Sequence, residues 1–84
     1  MFYVYLIRDI KRGLYIGSTN DLRRRMTEHN SGKSQYTKGG RWELVYYESY
    51  LDETDARLRE KRLKLQGQAM AQLRRRTSGS LNKS

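Results

Sequence analysis

The sequence predicts an α+β domain: a small, three-stranded, mainly antiparallel β-sheet flanked by helices, in the order β-β-α-β-α with a further helix at the end. Two observations lead to this fold class. Three short segments are rich in aromatic and β-branched residues and are bounded by turn-forming residues, which is typical of strands. Two other segments begin with capping side chains and carry apolar residues at helical spacing, which indicates helices.

A β-hairpin is predicted at the start of the chain. Residues 2–8 are apolar and aromatic, residues 9–13 have the composition of a turn, and residues 14–17 form a second short strand. We interpret the apolar N-terminal segment as a strand and not as a signal peptide, because charged residues end it after seven positions.

The first helix follows the hairpin and runs from about residue 21 to residue 29. Residues 18–21 offer capping side chains before it, and Leu22 and Met26 form its apolar stripe. Residues 31–41 are rich in Gly, Ser and Lys, and they form an exposed loop that is long enough to be functional.

The third strand, residues 42–50, has the clearest strand pattern of the chain. Side chains alternate along a strand. The predicted faces hold Trp42, Leu44 and Tyr46 on one side, and Val45 and Tyr47 on the other. Asp52 caps a second helix over residues 53–65, and Gly67 separates it from a short helix over residues 68–75.

The length of 84 residues limits the chain to one domain. We expect residues 1–76 to form this domain and residues 77–84 to be a disordered tail. A domain of this size has a thin core, so its active site should be an open concave face and not a deep pocket.

Composition excludes several classes of site. Cysteine is absent, so neither a disulfide nor a thiolate metal site can form, and His29 is the one histidine, which excludes a zinc site built from several histidines. No apolar run approaches the roughly 20 residues that a bilayer requires. We therefore expect a cytoplasmic protein without a membrane partner.

The net charge of +9 is concentrated at one end of the chain. Residues 1–56 contain nine Lys or Arg against eight Asp or Glu, a net +1, whereas residues 57–84 contain nine against one, a net +8. Such a block indicates either a surface that meets a polyanion, above all nucleic acid, or a solubilising tail.

Polar residues with chemical potential lie on the predicted hairpin and on the first helix. Tyr5 and Tyr15 occupy the two hairpin strands, where a cation or metal ion beside a phenol favours the phenolate and makes it a base. Arg25 and His29 are four residues apart and share a helix face that can hold a phosphate. The alternatives are tyrosines that only pack and a solvated helix edge.

Glu60 is the most informative position. It shares the inward stripe of the second helix with Ala56 and Leu63, and it is the one acid in residues 57–84. A half-buried carboxylate needs a cation, either a neighbouring arginine or a hydrated Mg²⁺ ion that binds one or two carboxylates and substrate phosphates. Gly17 either simply ends the second strand or lets a phosphate approach the backbone.

The spacing of these residues resembles that of the GIY-YIG nuclease superfamily, especially its short, single-domain bacterial members. Residues 3–5, Tyr-Val-Tyr, stand where the family has Gly-Ile-Tyr, and residues 15–17, Tyr-Ile-Gly, match the second motif unchanged. Arg25 falls at the position of the family's arginine, and His29 where His or Tyr is common. Glu60, in an Ala-x-x-x-Glu pattern, matches the metal-binding glutamate. The chain lacks the first motif's glycine and a convincing match to the asparagine that many members carry after the glutamate helix.

The resemblance implies a metal-dependent endonuclease that hydrolyses phosphodiester bonds of DNA, with branched or damaged forms as substrates. Tyr5 or Tyr15 would activate the attacking water, and Arg25 would neutralise the transition state. His29 would orient the water or hold a phosphate, and Glu60 would bind one Mg²⁺ or Mn²⁺ ion. The residues expected to contact the DNA backbone are Gly17, Ser18, Arg24, Lys38, Arg57, Lys61 and Lys64.

Three functions remain open from the sequence. One is the endonuclease, and another is a DNA-binding module that retains the fold with little or no cleavage; an RNA-binding protein is a third. The joint presence of Tyr5, Tyr15, Arg25 and Glu60 favours the enzyme. A homodimer or a protein partner would supply the specificity that so small a surface lacks.

Overall fold

The computed structural model describes residues 1–33, 37 and 39–81. Seven elements follow one another in these residues: β1 (Phe2–Asp9), β2 (Gly13–Thr19), α1 (Leu22–Asn30), β3 (Glu43–Tyr50), α2 (Glu53–Leu65), α3 (Gly67–Arg76) and α4 (Ser78–Leu81). This order confirms the predicted α+β class, and the short α4 is an addition. No helix in the described part of the chain combines the length and the apolar character that crossing a bilayer requires.

The sheet has the strand order β2-β1-β3, and both pairs of neighbours are antiparallel. The turn between β1 and β2 ends at Gly13, whose φ of 86° suits glycine. Asp9 stabilises this turn, because one carboxylate oxygen accepts hydrogen bonds from the backbone N–H groups of Lys11 and Arg12 at 2.8 and 3.0 Å. Its other oxygen accepts from the backbone N–H of Arg41, which ties the hairpin to the segment before β3.

The central strand β1 is covered on both faces. Val4 and Leu6 face α2 and join a core cluster completed by Ile16, Ala56, Leu63 and Leu73. Tyr5 and Ile7 point to the opposite face, where Trp42 joins them and α1 contributes Leu22 and Met26. The two helices therefore lie on opposite sides of one thin sheet, as the size of the domain requires.

The predicted division of β3 into two faces is wrong at Tyr46. Leu6 pairs with Tyr46 and Ile7 pairs with Leu44, so Val45 is left without a partner in β1. Such a bulge shifts the alternation by one residue. As a result Val45 and Tyr46 both pack against the α2-side cluster, whereas Leu44 and Tyr47 pair with Ile7 and Tyr5 on the α1 side.

Local capping explains where the main helices begin. The Asp21 carboxylate accepts a hydrogen bond from the Arg24 N–H at 3.0 Å, and that of Asp52 accepts from the Thr54 N–H at 2.7 Å. The chain is also fixed at residue 77, the first residue of the expected tail. Thr77 is buried and donates from its hydroxyl to the carbonyl of Leu73 at 2.9 Å, which anchors the chain before α4.

Candidate active site

Tyr5 and Gly17 form the floor of the site. They are direct partners in the β1–β2 ladder, and Tyr5 is 1% exposed. A Cβ added at Gly17 would collide with the hydroxyl oxygen of Tyr5 and lie 2.5 Å from its Cζ. The phenol ring of the facing strand lies across the last position of the Tyr-Ile-Gly motif and leaves no room for a side chain. The motif therefore ends in glycine.

His29 holds the hydroxyl of Tyr5 from the opposite side. This fully buried residue of α1 has its Nε2 2.7 Å from the Tyr5 hydroxyl and its Nδ1 2.7 Å from the hydroxyl of Thr37. Burial, together with the nearby charge of Arg25, lowers the pKa of His29 to about 4. The imidazole is therefore neutral at pH 7, so one ring nitrogen donates and the other accepts.

Burial also keeps Tyr5 protonated. It raises the pKa of Tyr5 to about 12, although the Arg25 guanidinium beside the phenol acts in the opposite direction. Arg25 itself is held by Glu28, whose carboxylate accepts a hydrogen bond at 3.0 Å. Partial burial would lower the pKa of Arg25, but hydrogen bonds to Glu28 and Tyr5 outweigh it and raise that pKa, so the guanidinium stays charged.

Tyr15 lies beside the same imidazole but is only partly buried. Its ring centroid is 5.3 Å from that of His29 and 6.2 Å from that of Trp42, both in edge-to-face geometry. The Nζ of Lys64 lies 5.6 Å from the centroid of the Tyr15 ring. Two phenols, a neutral imidazole and a guanidinium thus meet along the β2 edge of the sheet.

Glu60 reaches this edge from α2. Its Oε1 accepts a hydrogen bond from the Ser18 hydroxyl at 2.6 Å, and its Oε2 accepts from Lys64 at 2.8 Å. The Glu60 side chain is 21% exposed, and its negative charge contributes to the raised pKa of Tyr5. The described residues hold no group of three His, Asp or Glu side chains that could surround a metal ion. A metal here would rely on Glu60 and on ligands from the substrate.

Comparison of the sequence with known protein families identifies the family of this chain. The model of the GIY-YIG catalytic domain family matches residues 1–74, which include every residue of the site. The chain belongs to the GIY-YIG family. This confirms the resemblance that the two tyrosine motifs, the arginine and the glutamate indicated.

Several relatives of this GIY-YIG chain carry the name UPF0213 protein. One from Oceanobacillus iheyensis is 38% identical over 64 residues, which are 74% of either chain. One from Bacillus pumilus is 41% identical over 64 residues, 74% of this chain and 65% of the relative. The solution NMR structure of the UPF0213 protein from Bacillus halodurans has a TM-score of 0.54 and 34% identity, covering 87% of this chain and 82% of that one.

A groove next to the GIY-YIG residues contains some of the expected DNA-contact residues. It encloses about 380 Å³ and is lined by Phe2, Ser18, Thr19, Asn20, Arg24, Arg25, Glu28, Glu53, Ala56 and Arg57. Arg24 is bound to Asn20 at 3.0 Å and Arg57 to Glu53 at 3.1 Å, and both arginines are mostly exposed. The groove is open to solvent on one side, as expected for a domain of this size.

The other expected DNA-contact residues take different places. Lys61 is exposed on α2, and Lys64 is bound to Glu60 within the site. The Tyr5 ring covers Gly17, so the space beside this glycine is already filled. Lys38 lies outside the described residues.

The sequence interpretation missed two partners of the site. Glu28 holds Arg25, and the spacing of three residues on one helix is the signal that could have indicated it. Thr37 completes the hydrogen bonds of His29 from the loop before β3. Nothing in the sequence indicates this contact, because it depends on where Thr37 packs in the folded chain.

Proposed function

We propose that the chain is a metal-dependent DNA endonuclease that hydrolyses phosphodiester bonds and acts on branched or damaged DNA. One observation carries the proposal. The β2 edge brings together the Tyr15 phenol, the Arg25 guanidinium and the Glu60 carboxylate around the Tyr5–His29 pair. A base, a fixed cation and a carboxylate are the groups that phosphodiester hydrolysis needs.

Tyr15 is the better candidate for the group that activates water. Tyr5 is 1% exposed, its hydroxyl is bound to His29, and its pKa is raised to about 12 by burial. A phenol in that state stays protonated and out of reach of water at neutral pH. Tyr15 touches the same imidazole and is partly exposed, so it can meet a water molecule.

Arg25 suits the stabilisation of a phosphate. Its side chain is 30% exposed, so the guanidinium can reach a ligand, and Glu28 fixes it at 3.0 Å. A preorganised cation costs no reorganisation when negative charge develops on the phosphorus centre. We therefore assign Arg25 to the non-bridging oxygens of the scissile phosphate, with His29 holding Tyr5 in place beneath them.

Glu60 fits a single divalent ion. It is a partly exposed carboxylate, and its present partners are a hydroxyl and an ammonium group, both of which can move aside. Mg²⁺ or Mn²⁺ often binds one or two carboxylates and takes the remaining ligands from water and phosphate. Such an ion, when bound, supplies Lewis acidity next to the leaving oxygen.

The groove lined by Arg24 and Arg57 offers a path for the substrate strand beside Arg25. Exposed arginines bind phosphates without reading sequence, so DNA affinity should fall steeply with salt. A domain of 84 residues has too little surface for extensive base contacts. Recognition by DNA shape, as at branches and lesions, is therefore the mode that we propose.

Cleavage of supercoiled plasmid and of branched DNA with Mg²⁺ or Mn²⁺ tests the proposal. Glu60→Gln and Arg25→Ala should each lower the cleavage rate by about 100-fold or more, while DNA binding persists. Glu43→Gln is the control, because that carboxylate is 74% exposed on β3 and has no place in the site. A native chain that binds DNA and never cuts it would instead support the non-catalytic binding module.

A further inference from the structure

Lys64 lies at an unusual place for a DNA-contact residue. Its Nζ is 2.8 Å from Oε2 of Glu60 and 5.6 Å from the centroid of the Tyr15 ring. It therefore connects the carboxylate proposed to bind metal with the phenol proposed to activate water. Its side chain is 45% exposed, so it is free to move on one side.

We propose that Lys64 is the resident counter-cation of Glu60, and that a divalent ion must displace it in order to bind. The inference rests on the proposed function, since it assumes that Glu60 is the metal ligand. It adds that this chain carries its own competitor for the metal. Lys64 is thus a residue that sets the metal affinity of the site, and not only a contact to the DNA backbone.

The contacts of the carboxylate support this competition. Each oxygen of Glu60 already has a donor, Ser18 at 2.6 Å and Lys64 at 2.8 Å. A hydroxyl can rotate and present a lone pair, but an ammonium group has only donors and repels a divalent ion. Lys64 is therefore the group that has to leave.

Lys64 has a second position available after displacement. The face of the Tyr15 ring is already within the distance at which a cation is attracted to an aromatic ring. A flexible four-carbon stem lets the ammonium group withdraw from Glu60 without leaving this ring. The movement therefore needs a side-chain rotation and no change of the helix.

The competition has a consequence for activity. Without metal, the partly buried Glu60 is already neutralised, so the fold does not depend on the ion. The ion alone should bind weakly, and phosphate oxygens of the substrate would supply the missing ligands. Metal binding would then be coupled to DNA binding.

Titration of the protein with Mn²⁺ alone, followed through the electron paramagnetic resonance signal of the free ion, measures the competition without cleavage. Lys64→Met should tighten Mn²⁺ binding by about five- to tenfold, because the carboxylate no longer has to exchange an ammonium partner. Lys64→Arg keeps the ion pair and should bind Mn²⁺ as the native chain does.

Lys61→Met is the matched control for net charge. The variant removes the same charge from the position of α2 that follows Glu60. In the described part of the chain, no hydrogen bond or ion pair joins Lys61 to Glu60. Its Mn²⁺ affinity should stay within about twofold of native, since exposed charges are screened. An equal gain in both Met variants would mean a general charge effect and would overturn the competition.

Glu60→Gln separates failure of this inference from failure of the proposed function. If Glu60→Gln weakens Mn²⁺ binding but Lys64→Met leaves it at or below the native affinity, Lys64 is not a competitor and only the inference falls. If Glu60→Gln binds Mn²⁺ like the native chain, Glu60 is not the ligand and both proposals fall. Thermal unfolding of each variant confirms that the compared proteins are folded.

Discussion

The two faces of the sheet both bury polar side chains, but they satisfy them differently. On the α2 face, the carboxylate of Glu48 accepts hydrogen bonds from Tyr46 at 2.9 Å and Tyr50 at 2.6 Å. Arg59 of α2 adds a two-pronged contact at 2.9 and 3.0 Å. Burial would raise the pKa of Glu48, but these donors outweigh it and lower that pKa, so the carboxylate is ionised.

Next to the candidate site on the α1 face, the buried polar side chains of Tyr5, His29 and Thr37 carry no charge. His29 is neutral, with a pKa lowered to about 4 by burial, and its two ring nitrogens meet Tyr5 and Thr37 at 2.7 Å each. Charge enters at the margin of this group, through Arg25, Glu28 and Glu60. No buried side-chain polar atom among the described residues lacks a hydrogen bond.

The difference separates a network that fixes a helix from the network of the candidate site. Glu48 accepts two hydrogen bonds from tyrosines of its own strand and two from Arg59. The ion pair with Arg59 fixes α2 on β3, next to Glu60. The His29 imidazole and the Tyr5 phenol of the α1 face are neutral hydrogen-bonding groups, and Arg25 beside them lines the groove. The Glu48–Arg59 ion pair on the α2 face thus positions a helix. The neutral His29 and Tyr5 on the α1 face hold the candidate site in place.

The largest expected effect tests the structural role of Glu48. Glu48→Gln should lower the free energy of unfolding by about 3 kcal/mol, because it leaves the Arg59 guanidinium, 26% exposed, without its charged partner. Urea denaturation measures the loss. Glu53→Gln is the matched control: its pair with Arg57 has side chains 55% and 72% exposed, so removing it should cost less than about 1 kcal/mol. Similar small losses in both variants would remove the distinction between the two faces.

The next effect probes the packing beneath the site. Gly17→Ala should destabilise the chain by about 2 to 3 kcal/mol, because its Cβ would lie 2.5 Å from Cζ of Tyr5 and push the ring out of place. Gly67→Ala is the control, since a Cβ there meets nothing within 4 Å and replacing glycine at the start of α3 should be neutral or slightly stabilising. A stable Gly17→Ala protein would show that the Tyr5 ring is not confined by β2.

Local signals predicted most of the fold. The bounds of α2 agree with the prediction because Asp52 caps the helix and Gly67 follows it, and both signals are read within the helix and its flanks. The bulge at Val45 could not be predicted, because it exists only in the pairing of β3 with β1. It places Tyr46, and with it Glu48 and Tyr50, on the α2 face, where Arg59 completes the Glu48 network.

The site was predictable as a set of residues and not as a set of contacts. Motif spacing indicated Tyr5, Tyr15, Arg25, His29 and Glu60, and the structure brings them to one edge of the sheet. Their catalytic roles stay predictions. Their hydrogen-bond partners come from other parts of the chain. Thr37 precedes β3 and binds His29, whereas Ser18 near the end of β2 and Lys64 one helical turn later bind Glu60. Such contacts depend on tertiary packing, which no spacing along the chain encodes.

The smallest of the three effects tests the neutral state of His29. Its pKa falls from 6.5 in the unfolded chain to about 4 in the folded chain, so the unfolded state binds a proton first on acidification. The stabilisation is complete above pH 6.5 and is lost as the pH falls towards 4. Between pH 7 and pH 5, the free energy of unfolding should drop by about 2 kcal/mol, measured by urea denaturation at both pH values.

His29→Gln isolates this contribution, because His29 is the one histidine of the chain and the amide keeps a donor and an acceptor. The variant should lose most of the change between pH 7 and pH 5, whereas carboxylates act on both proteins mainly below pH 5. If the native chain instead became more stable at pH 5, His29 would be charged and paired with Glu28 in the folded state. The α1 face would then hold an ion pair like the α2 face, and the contrast between them would disappear.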